Sequence, residues 1–210
     1  EQAVLRRAAR WHDWGKAHDV FQKGLLTTSK LTRTLPDPQV DFWGKSSKAE
    51  STVPNSQPDK PAKRKGHKSI YSRPGFRHEL ASALGMLALQ LKYPEHSDLA
   101  CYLVAAHHGN VRMLIRSLPN EKRPEEDVLF ARGVWENDPL PVANLGGGIR
   151  TPAVLLSLEY MKSGVSAIGA PPSWAERVLK LLKGCGPFRL AYLEALLCAA
   201  DRRASAKHGG

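Results

Sequence analysis

The chain is poor in cysteine, in acidic residues, in aromatic rings and in long apolar runs. Its three cysteines, Cys101, Cys185 and Cys198, are odd in number and show no paired spacing. That argues against a disulfide framework or a thiolate zinc site and for reduced, cytosolic thiols. Apolar stretches such as Pro152–Leu156 and Ala195–Ala200 fall far short of the ~20 residues a membrane span needs, so no membrane partner is expected. Arg6, Arg7 and Arg10 interrupt any apolar run near the start, and no secretory leader is expected there. The expected location is cytoplasmic. Strand-like alternation is nearly absent and no internal repeat is found, so the expected class is all-α.

A hydrophobic fraction of 42% over 210 residues is enough for a real core and fits one domain. The chain enters a helical pattern directly at Glu1, as expected of a domain cut from a longer polypeptide. Its net charge of +11 points to a polyanionic partner, nucleic acid above all, with a merely soluble basic protein as the equal alternative. The charge is unevenly spread. Residues 27–75 carry ten Lys or Arg against four Asp or Glu, with prolines at 36, 38, 54, 58, 61 and 74. This segment reads as a long, loop-rich insertion in the domain, locally pinned by Phe42, Trp43, Ile70 and Tyr71. Lys63, Arg64, Lys65 and Lys68 are its candidate nucleic-acid contacts; a solvated loop is the plain alternative.

Around the insertion the periodicity is helical. Val4, Leu5, Ala8 and Trp11 share a stripe, Gly15 supplies a stop, and Val20, Phe21 and Leu25 resume. Leu80, Leu84, Leu87 and Leu91 form a second stripe ended by Pro94. Leu103, Val104 and His107 continue in a helix stopped by Gly109. One short helix is expected near Glu125–Trp135 and another over Val154–Met161. Ser173-Trp174-Ala175-Glu176 has the form of a capping box opening a helix that Gly184 ends. Pro187–Ala206 forms the last helix, with Leu190, Leu193, Leu197 and Asp201 along one side.

Against this apolar background, metal-ligand side chains recur at four places: His12-Asp13, His78, His107-His108 and Asp201. Imidazole and carboxylate together suit several first-row divalent cations. Adjacent helical residues point about 100° apart. His12 and Asp13 converge only if the helix ends there, and the two oxygens of Asp13 could then bridge two cations. Lys16, three residues on, could steady a phosphate. Two adjacent imidazoles at a helix end are costly to bury without a partner. Asp201 lies in register with apolar residues and needs a cation. Each place has a bland alternative: a surface accident for His12-Asp13, a polar helix start for His78, satisfied core histidines for His107-His108, and an Arg salt bridge for Asp201. Among the aromatics, Trp14, Trp43 and Tyr71 are candidate base-stacking platforms, with core packing as the favoured role. His18 is expected to face solvent or the mouth of the site.

In their order, His12-Asp13-Trp14-Gly15-Lys16-Ala17, Phe21-Gln22, Arg77-His78-Glu79, Ala105-Ala106-His107-His108-Gly109 and Ala200-Asp201 resemble the HD superfamily of metal phosphohydrolases. Within it they are most similar to the HD nuclease domain of type I CRISPR systems, which works with a superfamily 2 helicase. The Gly-Lys, Phe-Gln and His-His-Gly elements are far more specific than the His-Asp pair. The resemblance runs from residue 11 to 206, with no matching motif in 27–75 or 117–185. It implies an HD-domain helical bundle and a two-metal site. His12, Asp13 and Asp201 would hold one cation, and Asp13 would bridge to a second held by His78, His107 and His108. Asp13 and Lys16 would be catalytic, with Lys16 on the substrate phosphate. The implied cations are iron, manganese, nickel or cobalt ahead of magnesium. The implied substrate is single-stranded DNA. The implied partners are the helicase, fused or separate, and a CRISPR RNA-guided surveillance complex. The family carries a further ligating His upstream of the His-Asp pair, and residues 1–11 contain none. Two other readings use the same residues: a phosphohydrolase of small nucleotides, and a catalytically weak domain that docks a helicase or binds DNA.

Overall fold

The computed structural model describes residues 1–28, 37, 39–42, 44, 71–162, 164, 166 and 168–207. Lys63, Arg64, Lys65, Lys68, Trp43 and Ile70 lie outside the described residues, as does most of the 27–75 segment. The described chain is mostly helical. Six α-helices run α1 (Gln2–Trp11), α2 (Asp19–Thr28), α3 (His78–Ala88), α4 (Asp98–Ala106), α5 (Trp174–Cys185) and α6 (Pro187–Lys207), with a 3-10 turn at Trp14–Ala17 between α1 and α2. No helix among the described residues is long and apolar enough to cross a membrane. The three cysteines are free.

The centre of the fold is α3. Every residue from Glu79 to Leu87 is buried, so its apolar stripe is only part of an all-round covered surface. Small residues at Ala81, Ala83 and Gly85 let neighbours approach; a Cβ on Gly85 would lie 2.6 Å from the Trp14 ring. Helix α4 packs along α3 with Ala100, Ala105 and Ala106 fully buried, and it begins at Ser97, whose Oγ accepts the Ala100 N–H. Helix α1 lies on α4 through Ala8 and Trp11, and α6 closes the bundle through Leu190, Leu193 and Leu197. The capping box at Ser173 and Glu176 is formed.

Three helix limits differ from expectation. Helix α3 stops at Ala88, and Leu91 sits beyond it with its side chain wholly in solvent. Helix α5 runs past Gly184 to Cys185, and the positive-φ residue that ends it is Gly186 (φ 76°). Helix α6 reaches Lys207, one residue past Ala206.

The all-α expectation needs a larger correction between α4 and α5. Phe130–Ala131 (β1) pairs antiparallel with Val134–Trp135 (β2), where a helix was expected. The turn residues Arg132 and Gly133 have φ of 53° and 75°, as a two-residue hairpin demands. Gly133 also backs onto Phe76, whose Cα would stand 2.5 Å from an added Cβ. Pro139–Leu140 (β3) pairs with Val154–Leu155 (β4), again where a helix was expected. Leu156 and Leu158 are buried while Leu155 is exposed, a period of two rather than 3.6. Only Glu159–Met161 of that stretch turns helically, as a 3-10 turn.

The described ends of the 27–75 segment are anchored. Phe42 packs on the core, and Val40 accepts the Asn144 N–H at 2.7 Å. Tyr71 stacks on Phe21 with ring centroids 5.7 Å apart.

Candidate metal centre

Helix α1 ends at Trp11, one residue before the pair it delivers. Asp13 takes φ −99° and ψ 0°, which bends the backbone enough for adjacent side chains to converge. His12 Nε2 comes within 3.4 Å of Asp13 Oδ1. The 3-10 turn that follows is seated on the start of α3. A Cβ on Gly15 would lie 2.0 Å from the His78 carbonyl oxygen, so only glycine allows this approach. Ser82 fastens the turn from below: its Oγ accepts the Gly15 N–H at 2.7 Å and donates to the His12 carbonyl at 2.8 Å.

That seating brings His78, the first residue of α3, to the same carboxylate, with Nε2 3.5 Å from Asp13 Oδ1. His107 is the C-cap of α4, and Gly109 (φ 75°) turns the chain immediately after the doublet. The ring of His107 lies 5.0 Å from that of His12, 5.9 Å from His78 and 4.0 Å from His108, centroid to centroid. Asp201 on α6 comes to the same His12 nitrogen as Asp13, its Oδ1 3.4 Å from Nε2. Lys16 Nζ pairs with Asp13 Oδ2 at 2.7 Å.

All seven residues singled out in the sequence as ligands or catalytic groups therefore share one neighbourhood. Two groups are tight enough to hold a cation: His78, His107 and His108, and His12, Asp13 and His107. In each group the donor atoms lie within 4.8 Å of one another. His107 belongs to both, and Asp201, in neither, reaches the same His12 Nε2 that faces Asp13.

The donor chemistry fits a divalent cation. Asp13 Oδ1, His78 Nε2 and His107 Nε2 are buried and make no hydrogen bond among the described residues. Three orphaned polar atoms meeting at one point are costly unless something binds them. The backs of two rings are fixed. His12 Nδ1 lies 2.9 Å from the Ala9 carbonyl and His107 Nδ1 2.6 Å from that of Val104, so each Nδ1–H donates to a carbonyl and each Nε2 faces the cluster.

The protonation states follow from the surroundings. Burial, then the charges of Lys16, His107 and His108, holds His78 well below the ordinary histidine value. Burial, then His108, lowers His107 to about 4. Both are neutral at pH 7, the form that ligates a metal. For His12, burial acts downward, but the Asp201 hydrogen bond and the Asp13 charge outweigh it and the value rises. The His12 hydrogen bond in turn holds Asp201 well below the ordinary carboxylate range.

One expectation is corrected at the margin, and the core role favoured for Trp14 is met. His18 does not face solvent. It is 2% exposed, stacked near Phe76, with Nε2 3.4 Å from Asp138 Oδ2. The chain turns extended at His18 (ψ 138°), between the 3-10 turn and α2. Trp14 is wholly buried, and its Nε1–H donates to the Pro141 carbonyl, so it is core rather than a base platform. Two supporting residues, Ser82 and Glu79, were not singled out as functional. The sequence signal for each is the same, a polar side chain on a helix otherwise buried all round.

No protein-family model, no curated protein and no solved structure matches the chain.

Proposed function

We propose that this chain is a metal-dependent phosphodiesterase that cuts single-stranded DNA, acting with a helicase in CRISPR interference. The observation that carries the phosphodiesterase reading is the meeting of His12, Asp13, His78, His107, His108 and Asp201, drawn from four distant parts of the chain, around three orphaned buried donors. The net charge of +11 favours nucleic acid over a small nucleotide. The choice of DNA strand, helicase and surveillance complex rests on the ordered motifs resembling type I CRISPR nuclease domains.

His12, Asp13 and Asp201 would hold one cation and His78, His107 and His108 a second, since the one free nitrogen of His107 serves a single cation. Iron, manganese, nickel or cobalt suits this mixed set. Such cations supply a water-derived nucleophile at neutral pH and offset charge on phosphoryl oxygens. The protein's own part is to keep His78 and His107 neutral and aimed, and to hold an ammonium at the site. Lys16 neutralises Asp13 in the metal-free state. With Asp13 engaged by cations, Lys16 is placed to bind a phosphate oxygen of the strand.

The test is cleavage of circular single-stranded DNA with a panel of divalent ions. Asp13→Ala should abolish cleavage and lower the bound cation count while the helical signal persists. Undiminished cutting by this variant would overturn the assignment. A nuclease should lose affinity steeply with salt, whereas salt-tolerant turnover of a free nucleotide would mark a small-nucleotide enzyme instead.

A further inference from the structure

Glu79 is 1% exposed, on the first turn of the most buried helix in the fold, and no step above uses it. A buried carboxylate needs a reason, because an unpaired one is strongly disfavoured. Its two oxygens face two different parts of the metal centre. Oε2 lies 3.6 Å from His78 Nδ1 and makes no hydrogen bond among the described residues. Oε1 accepts from Asn110 Nδ2 at 3.4 Å, and the same amide donates to the His108 carbonyl at 3.1 Å.

We propose that Glu79 is a positioning residue for the second cation site, holding the His78 ring from behind and tying it through Asn110 to the His107-His108 turn. This rests on the metal-centre reading above. His12 and His107 have backbone carbonyls behind their rings, as already described. His78 opens its helix, so no preceding helical turn can play that part, and the carboxylate of the next residue takes the place. With its N–H directed at Glu79, Nδ1 leaves the Nε2 lone pair for the cluster, where it meets Asp13 Oδ1. A carboxylate behind a ligating imidazole fixes both tautomer and ring angle. Using both oxygens, one residue sets two of the three corners of the His78, His107 and His108 group.

Glu79→Gln is the informative change, since it keeps size and removes only the charge and one acceptor. An amide has one acceptor oxygen where the carboxylate has two. If that oxygen stays on Asn110, an NH2 faces His78 Nδ1 and the wrong tautomer is favoured. If it turns to His78, an NH2 faces Asn110 and the link to His108 is lost.

The experiment titrates the metal-free 210-residue protein with Co2+ and follows visible absorption and calorimetric stoichiometry. Glu79→Gln should weaken one of two sites by about 10–100-fold and change its ligand-field spectrum. Asn110→Ala should weaken the same site less. His78→Ala should remove it. An unchanged Co2+ isotherm and spectrum in Glu79→Gln, with His78→Ala still losing a site, would overturn the positioning role alone. Unchanged Co2+ binding in His78→Ala would instead overturn the metal-centre reading beneath it. A lower melting temperature with an unchanged isotherm would assign Glu79 to packing and also overturn the proposal.

Discussion

Two histidine–aspartate neighbourhoods lie within this fold, and they are built on opposite principles. In one, His18 faces Asp138, whose Oδ2 also takes the Trp135 N–H at 2.8 Å and the Arg73 guanidinium at 2.5 Å. Arg73 in turn lies over the Trp135 ring, 3.6 Å from its centroid. The carboxylate has a permanent protein cation and a backbone donor, and the cluster joins the end of the basic segment to the β1–β2 hairpin. In the other, His12, His78 and His107 surround Asp13, with only Lys16 as a permanent cation, and three donors are left without partners. A closed network stabilises its surroundings; an open one is built to take something up. Burial and composition do not separate the two, and His18 Nε2 is itself without a hydrogen bond among the described residues. The carboxylate oxygen separates them: Asp138 Oδ2 takes a guanidinium and a backbone N–H, whereas Asp13 Oδ1 takes neither.

The sharpest way to break this comparison is to remove the acid from each cluster. Asp138→Ala leaves the Arg73 guanidinium without its main partner and should cost about 3–5 kcal/mol in urea melts, while Co2+ stoichiometry is retained. Asp13→Ala should do the reverse, losing cation binding with little loss of metal-free stability. Equal destabilisation by both would erase the distinction.

A smaller effect should come from Gly15→Ala. The added methyl meets the His78 carbonyl and must push the 3-10 turn off α3. Overpacking of this kind costs about 1–3 kcal/mol, and here it should also weaken cation binding, because the same turn carries Asp13. Denaturant titration with and without Co2+ separates the two losses.

The mildest effect is on pH. His107 titrates at about 4 in the fold against an ordinary 6.5, and His78 is also lowered, so the unfolded chain binds more protons in that interval. Metal-free stability should therefore fall as pH drops from about 6.5 toward 4. His12 is shifted the other way. Its contribution is present below 6.5 and lost as pH rises through its higher folded value. Urea midpoints across pH 4–8 should show the acid loss, and His107→Gln should flatten it. Cation uptake should release a proton from His12, read as a calorimetric dependence on buffer ionisation enthalpy.

Much of this was legible in the residues themselves. Helical periodicity located α1, α3, α4 and α6, and ionisable residues interrupting apolar stripes marked the ligand positions. His78, His107 and Asp201 were visible because each sits at a helix end or on a stripe otherwise meant for packing. The region between α4 and α5 was harder. Arg132-Gly133 is a hairpin turn only because both residues adopt positive φ, and Arg is not a usual occupant of that conformation. Leu155, Leu156 and Leu158 satisfy a helical count as readily as an alternating one over so short a run. His18 is buried by Phe76 and Asp138, partners too distant in sequence to be read from its neighbours. The role of Ser82 is not legible in the sequence, because this residue holds Gly15 and His12 through contacts that only three-dimensional proximity supplies.

His12 and Asp201 meet across 189 positions of sequence. Contacts that span most of a chain form late, since they wait on the longest loop closure. The half of the centre around His12 is therefore finished only when α6 docks, after the helices that carry the other imidazoles are already in place. On this geometry a growing polypeptide on the ribosome holds an incomplete cation trap until α6 has emerged, and the order of synthesis itself delays the arming of the site.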